Sequence, residues 1–365
     1  MASPPTSPRT SDRAGRWSRL NIATTVLWRE QGVVQLELGD RRVVVRNVGP
    51  GQLSPLLIRR YPGEDRPAGG STESEARSQA GRPTRGSPRL TERLHEAGLL
   101  IRAGARDRTD GEVPAYLAAE FGAMVGRFGD DAATTLARRR RALVAVQGAS
   151  RISATLAATL AAAGVGRVQL LGTGEASAAD NLPGGLTPDD EGGRFSRSGH
   201  AAIRRASPDV SLSPSTGFEP ADLVVLTDAP PVDPAVRDAL HLERQAHLAV
   251  SVEGSRAIIG PLVLPGRTSC LRCADLIRSE RDPAWPLLAV QLASRPRHAR
   301  AISDTSLSVA TAGAAAGQVL GYLDRQEPET LGGTIEWHLP DWRLRRRSWP
   351  AHPDCDCGAA GQNGR

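Results

Sequence analysis

The chain has 365 residues, 39% of them apolar, 24% charged and only 4% aromatic, with 46 basic against 40 acidic side chains and a formal charge of +6. Every one of those cations is arginine, which excludes a lysine-dependent phosphate loop and Schiff-base chemistry. No apolar run approaches the ~18 residues of a membrane span, and the Ser-, Pro- and Arg-rich start lacks the core of a secretory signal, so a cytoplasmic protein of about two domains is expected.

Residues 1–20 hold too few apolar side chains to offset chain entropy and read as disordered. Residues 21–110 read as a small winged-helix-like α+β module. Within it Val34, Leu36 and Leu38 alternate with Gln35 and Glu37 at the period of a half-buried strand. Gly39-Asp40 supplies a tight turn and Arg42–Arg46 the returning strand. A short helix is expected over Gln52–Arg60, a flexible loop over 62–88, and a second helix over Leu90–Leu100 that stops at Gly98. Residues 1–140 carry 23 arginines against 16 acids. That excess favours an acidic partner, either peptide or nucleic acid, unless it only reflects general arginine enrichment.

Residues 111–141 read as a helical connector. From there the texture is α/β, with apolar strands at Leu143–Val146, Val168–Leu171, Leu223–Leu226, Ala249–Val252 and Ala257–Leu264. Helices over Ile152–Ala163, Pro234–Arg244 and Leu307–Leu323 alternate with them, as in a doubly wound, mainly parallel sheet. Thr334–Trp337 and Trp342–Arg347 read as a closing antiparallel pair. The domain is expected over 142–358, with 359–365 as a tail.

Two features carry chemistry. The turn Gly148-Ala149-Ser150-Arg151-Ile152-Ser153 joins a strand to a helix, where glycines let a phosphate approach the free N–H groups. Only the first of its three glycine positions is glycine. The acid that holds ribose at the end of the next strand is replaced by Gly172-Thr173-Gly174, with Glu175 nearest. Cys270-x-x-Cys273 and Cys355-x-Cys357 hold every cysteine and match the four thiolates of a structural zinc site. A redox pair or inert cysteines are the alternatives, with His352 nearby as a replacement ligand or a surface residue.

Gly164–Leu171, Asn181-Leu182, Thr227-Asp228, Gly260-Pro261 and the two cysteine pairs together resemble the ThiF/MoeB/HesA family of ubiquitin-activating-type adenylyltransferases. The resemblance implies a Rossmann-like fold, two cysteine pairs, a homodimer, and ATP–Mg-dependent adenylation of a carboxylate at a peptide or small carrier-protein terminus. By position, Gly148 and Ser150 would face the phosphates, Asn181 the nucleotide and Asp228 the magnesium. Asp228 also suits a strand-end helix cap. The family's later loop glycines fall on Ser150 and Ser153. Its ribose acid falls on Gly172 or Gly174, its arginine after Asn181-Leu182 is replaced by Pro183-Gly184-Gly185, and its lysine is absent, leaving Arg194 or Arg197 as cations. ATP and magnesium binding are accordingly expected to be degenerate.

The N-terminal module resembles the leader-recognition units of azole/azoline peptide pathways, in which a ThiF-like protein delivers a ribosomal precursor peptide to a cyclodehydratase. Capture would be on Val33–Leu38 with Arg42–Arg46. Arg281–Pro286 resembles those proteins too, or is a proline loop around a packed tryptophan. Winged-helix DNA binding is a lesser alternative, because no helix concentrates a basic reading face.

Overall fold

The computed structural model describes residues 17–21, 24–48, 88–102, 113–212, 220–228, 231–295 and 302–360. They fall into two compact units, Met1–Ala137 and Arg138–Arg365.

In the first unit, β2 (Thr25–Glu30), β3 (Val33–Leu38) and β4 (Arg41–Arg46) form an antiparallel meander. Gly39, at φ +57°, makes the tight β3–β4 turn, which leaves Leu38 opposite Arg41. The alternation in β3 buries Val34, Leu36 and Leu38 against Leu90 and Leu94 of α1 (Pro88–Glu96). Gly98, at φ +67°, ends that helix as expected. The chain then turns into β5 (Leu100–Arg102), which pairs with β1 (Trp17–Leu20).

Two expectations change here. Residues 17–20 are a strand rather than part of a disordered lead, because Leu20 buries in the core that Leu99 and Leu100 complete. Val33–Leu38 cannot capture a peptide strand, because β3 is hydrogen-bonded on both sides; β2 and β4 are the edges of this sheet. The Gln52–Arg60 helix and residues 62–87 of the expected loop lie outside the described residues. The helical connector is α2 (Ala118–Phe128) and α3 (Ala132–Arg141), packed through Phe121, Met124 and Leu136.

The second unit is built on an eight-stranded sheet. Five strands are parallel in the order β10 (His247–Glu253), β9 (Leu223–Leu226), β6 (Leu143–Gln147), β7 (Arg167–Leu171) and β8 (Ser211–Leu212). An antiparallel meander of β11 (Arg256–Val263), β12 (Gly333–His338) and β13 (Arg343–Ser348) extends it beyond β10. Val144, Val146, Leu223 and Val225 face α4 (Ser153–Ala162), α5 (Phe195–Ala206) and α9 (Thr305–Leu323). Ala145, Val224 and Leu226 point the other way, toward α6 (Pro234–Leu242), α7 (Leu271–Arg281) and the four cysteines. The helix α8 (Trp285–Ala293) follows α7. This is the doubly wound arrangement expected. No helix of the described residues is long and apolar enough to cross a membrane.

Two buried polar groups constrain this unit. Arg139 is wholly buried, and its guanidinium meets both carboxylate oxygens of Asp324 at 2.8 and 2.6 Å and the Ala163 carbonyl at 2.9 Å. It ties the end of α3 to the end of α9. Truncating Arg139 to alanine leaves Asp324 charged and buried, so a loss of about 3–5 kcal/mol is expected in urea denaturation. A paired Arg139→Met, Asp324→Leu variant should lose less than either single change.

His247 opens β10. Its Nδ1–H donates to the Gln245 carbonyl at 2.9 Å, while Nε2 meets no hydrogen-bond partner among the described residues. Burial pushes its pKa down to about 4 from 6.5, so the folded ring is neutral. The unfolded chain binds that proton more readily, so the stability from neutrality is complete above pH ~6.5 and is lost as pH falls toward ~4. His247→Asn keeps an N–H for Gln245 and cannot titrate. Denaturation at stepped pH should show this variant losing less stability than the native chain across that window, and identical slopes would remove His247 as the cause.

Candidate nucleotide site and thiolate cluster

The nucleotide site would lie at the carboxyl ends of the parallel strands, where β6 turns into α4. Gly148 has φ +123°, and a Cβ there would stand 2.5 Å from Thr227 Oγ1 and 2.8 Å from Asp228 Cγ. Only glycine fits. The two serines that replace the later glycines turn inward. Ser150 Oγ lies 3.0 Å from Ser153 Oγ, which lies 2.7 Å from Thr227 Oγ1, whose hydroxyl donates to the Gln147 carbonyl at 3.1 Å. Ser153 is fully buried, so its hydroxyl braces the turn from beneath.

Asp228 accepts the Ala149 N–H at 3.3 Å. The cap of α6 is Asp233, which accepts the Ala235 N–H, so Asp228 does not cap that helix. Asp228 is exposed at the turn, where a cation could meet it. Asn181 is also exposed and offers its backbone carbonyl to the Arg151 guanidinium. Thus Gly148, Ser150 and Asp228 meet directly at the turn, and Asn181 joins them through Arg151.

The other departures have steric causes. A Cβ on Gly172 would stand 2.5 Å from Phe195 Cδ1 and 3.2 Å from the Gly148 carbonyl, so no acidic residue fits at that strand end without displacing the ring. A Cβ on Gly185 would meet Thr155 Oγ1 at 2.5 Å. The turn that replaces the family's arginine is therefore packed onto α4. Arg194 and Arg197 are exposed, and Arg194 is bridged to Glu175 through the backbone. The arginine that spans the site is Arg151, which sits within the turn and whose reach no local sequence signal marks.

The cysteines converge on the opposite face of the sheet. Cys270 precedes α7 and Cys273 lies in its first turn. Their sulfurs are 3.7 Å apart, Cys270 is 3.6 Å from Cys355, and Cys273 is 3.5 Å from Cys357. All four are buried and lie within 4.8 Å of one another. A tetrahedron with zinc–sulfur bonds of ~2.3 Å has sulfurs about 3.8 Å apart, so the donors fit such an ion and the one-residue spacer is no obstacle. Burial pushes the Cys355 thiol up to about 11, and the hydrogen bond with Cys273 and burial raise Cys270 as well. Four thiolates are charged together here only around a cation. Arg272 reinforces the closure with a two-pronged pair to Asp356 at 2.8 and 2.9 Å.

His352 is neither ligand nor surface residue. It is buried, its Nδ1 accepts the Asp354 N–H at 3.1 Å, and its Nε2 lies 2.9 Å from Glu280 Oε1. Trp285 of the Arg281–Pro286 segment begins α8. Its indole N–H donates to Asp275, and Arg278 lies over both its ring and that of Trp349.

The chain is similar in structure to Escherichia coli MccB solved with ATP, at 15% identity and a TM-score of 0.65, over 93% of this chain and 99% of that one. The microcin C7 biosynthetic enzyme MccB in complex with N-formylated MccA matches at 15% identity and 0.65, over 94% and 99%. PaaA matches at 15% identity and 0.57, over 72% of this chain and 91% of that one. No family model and no curated protein sequence matches. The chain shares the fold of MccB.

Elemental analysis of the purified chain should find about one zinc per molecule. A strong chelator, or Cys273→Ser, should remove the metal and lower the melting temperature by several degrees or more. A metal-free chain that melts at the same temperature would refute the site.

Proposed function

We propose that this chain is a peptide-handling protein built on an adenylyltransferase fold, with a nucleotide site too closely packed for efficient adenylation. The observation that carries the reading is Phe195 against Gly172, which denies ribose its carboxylate partner at the end of β7. Charge-stabilising groups at a phosphoryl-type transition state are each worth ~3 kcal/mol, so the missing lysine and arginine lower the rate further.

In this reading the first unit captures an acidic leader of a ribosomal precursor peptide as an added strand beside β4, where Arg41, Arg42 and Arg46 supply positive charge. A cyclodehydratase then receives the presented peptide. Zinc on Cys270, Cys273, Cys355 and Cys357 fastens the C-terminal segment to α7, and the chain works in the cytoplasm as a homodimer. Similarity to MccB with the MccA peptide, over nearly the whole of both chains, supports the peptide partner.

A second reading is favoured by MccB solved with AMPCPP and MccA. In that reading a peptide or carrier-protein carboxylate would attack the ATP α-phosphorus and expel pyrophosphate, with Asp228 to hold magnesium and Gly148 and Ser150 to face the phosphates. ATP–pyrophosphate exchange with the purified chain and candidate precursor peptides separates the two. The first reading predicts peptide binding with background exchange; robust exchange establishes the second. Reversing charge at Arg42 and Arg46 to glutamate should weaken leader binding about ten-fold or more, read by fluorescence anisotropy.

A further inference from the structure

Arg151 occupies the turn where a glycine-rich loop needs open space above the helix N-terminus. Its guanidinium has five N–H donors, and four are engaged. Nε and Nη2 donate to the Asn181 carbonyl at 3.2 and 3.1 Å. The second Nη2 hydrogen meets Thr305 Oγ1 at 2.8 Å, and Nη1 meets the Ser303 carbonyl at 2.6 Å. One side chain thereby joins three segments: the turn, the Asn181 loop and the start of α9.

All three acceptor groups are neutral. Asp304 feels the Arg151 charge, but its carboxylate is already engaged, accepting the Leu307 N–H at 3.1 Å and the Ser306 hydroxyl at 2.6 Å. Among the described residues the guanidinium is held by hydrogen bonds to neutral groups, with the Asp304 charge adding attraction from beyond hydrogen-bond reach. It lies between the turn and Asn181, the two walls between which a triphosphate would enter. A guanidinium is planar and about the size of a phosphate group, so the two cannot share that gap.

We propose that Arg151 is a clasp that closes this site to polyphosphate, and that the amides of the turn behind it remain able to bind one. The proposal rests on the reading that adenylation is impaired, and it adds a cause for exclusion distinct from the missing ribose acid. Because Phe195 still occupies the ribose end, an opened site recognises the phosphate chain and not the nucleoside. ATP and inorganic tripolyphosphate then bind alike.

The test is isothermal titration of the full chain with Mg–ATP and with tripolyphosphate, alongside Arg151→Gly and Arg151→Ser. Thr305→Ala, which loosens the clasp from its far side and leaves the turn intact, serves if the Arg151 variants fail to fold. The native chain should bind neither ligand measurably, and both Arg151 variants should bind both with affinities raised about ten-fold or more and within about three-fold of each other. Thr305→Ala should show a smaller gain for both, and pyrophosphate exchange should stay at background throughout. If no variant binds either ligand, the clasp is overturned and the impaired-adenylation reading stands. If the native chain binds ATP and loss of Arg151 weakens it, Arg151 is a phosphate ligand and the clasp is overturned. If exchange also rises above background, the impaired-adenylation reading falls too.

Discussion

The close approach of strand ends at the top of the parallel sheet governs this molecule. β6 must end where Thr227 and Asp228 leave no room for a Cβ on Gly148, and β7 must end where Phe195 leaves none on Gly172. Both are consequences of packing small residues tightly beneath. Eight of the ten residues of α4 are buried, four of them alanine, and Gly199 of α5 lies so close to Leu170 that a methyl group there would overlap it. The same tight layering that requires glycine at the β6 turn also leaves no room for a side chain at Gly172.

The two faces of the sheet divide the work. One face holds α4, α5 and α9 around a continuous apolar core, braced at its end by the wholly buried Arg139–Asp324 pair. The other carries the cysteines, where the C-terminal segment folds back onto α7. The cysteine cluster lies on the face away from the turn, where a bound metal would act as a fastener. It leaves no cysteine among the described residues to act as a nucleophile beside the turn, which fits a scaffold that presents a peptide and forms no thioester.

Much of this architecture is visible in the order of residues. Short apolar runs mark β6, β7 and β9, the first two ended by glycine, and four cysteines in two pairs mark the cluster, because these signals are local. What escaped were features set by tertiary contact. β1 and β5 are four and three residues long and exist because they pair with each other. α8 has an apolar composition yet buries none of its residues, so no amphipathic stripe announced it. Missing glycines in the turn could be counted, but the inward rotation of Ser150 and Ser153 could not. Nor could the reach of Arg151 across to Ser303, 152 residues further along the chain.

A crystal structure grown with millimolar ATP, magnesium and a precursor peptide bears most directly on whether this is an adenylate-forming fold with a closed pocket. Phe195 should still be seated on Gly172 and the Arg151 guanidinium on Asn181, with peptide bound and no triphosphate at the turn. A triphosphate lying along the amides of Ser150–Ser153, with its magnesium on Asp228, would contradict it.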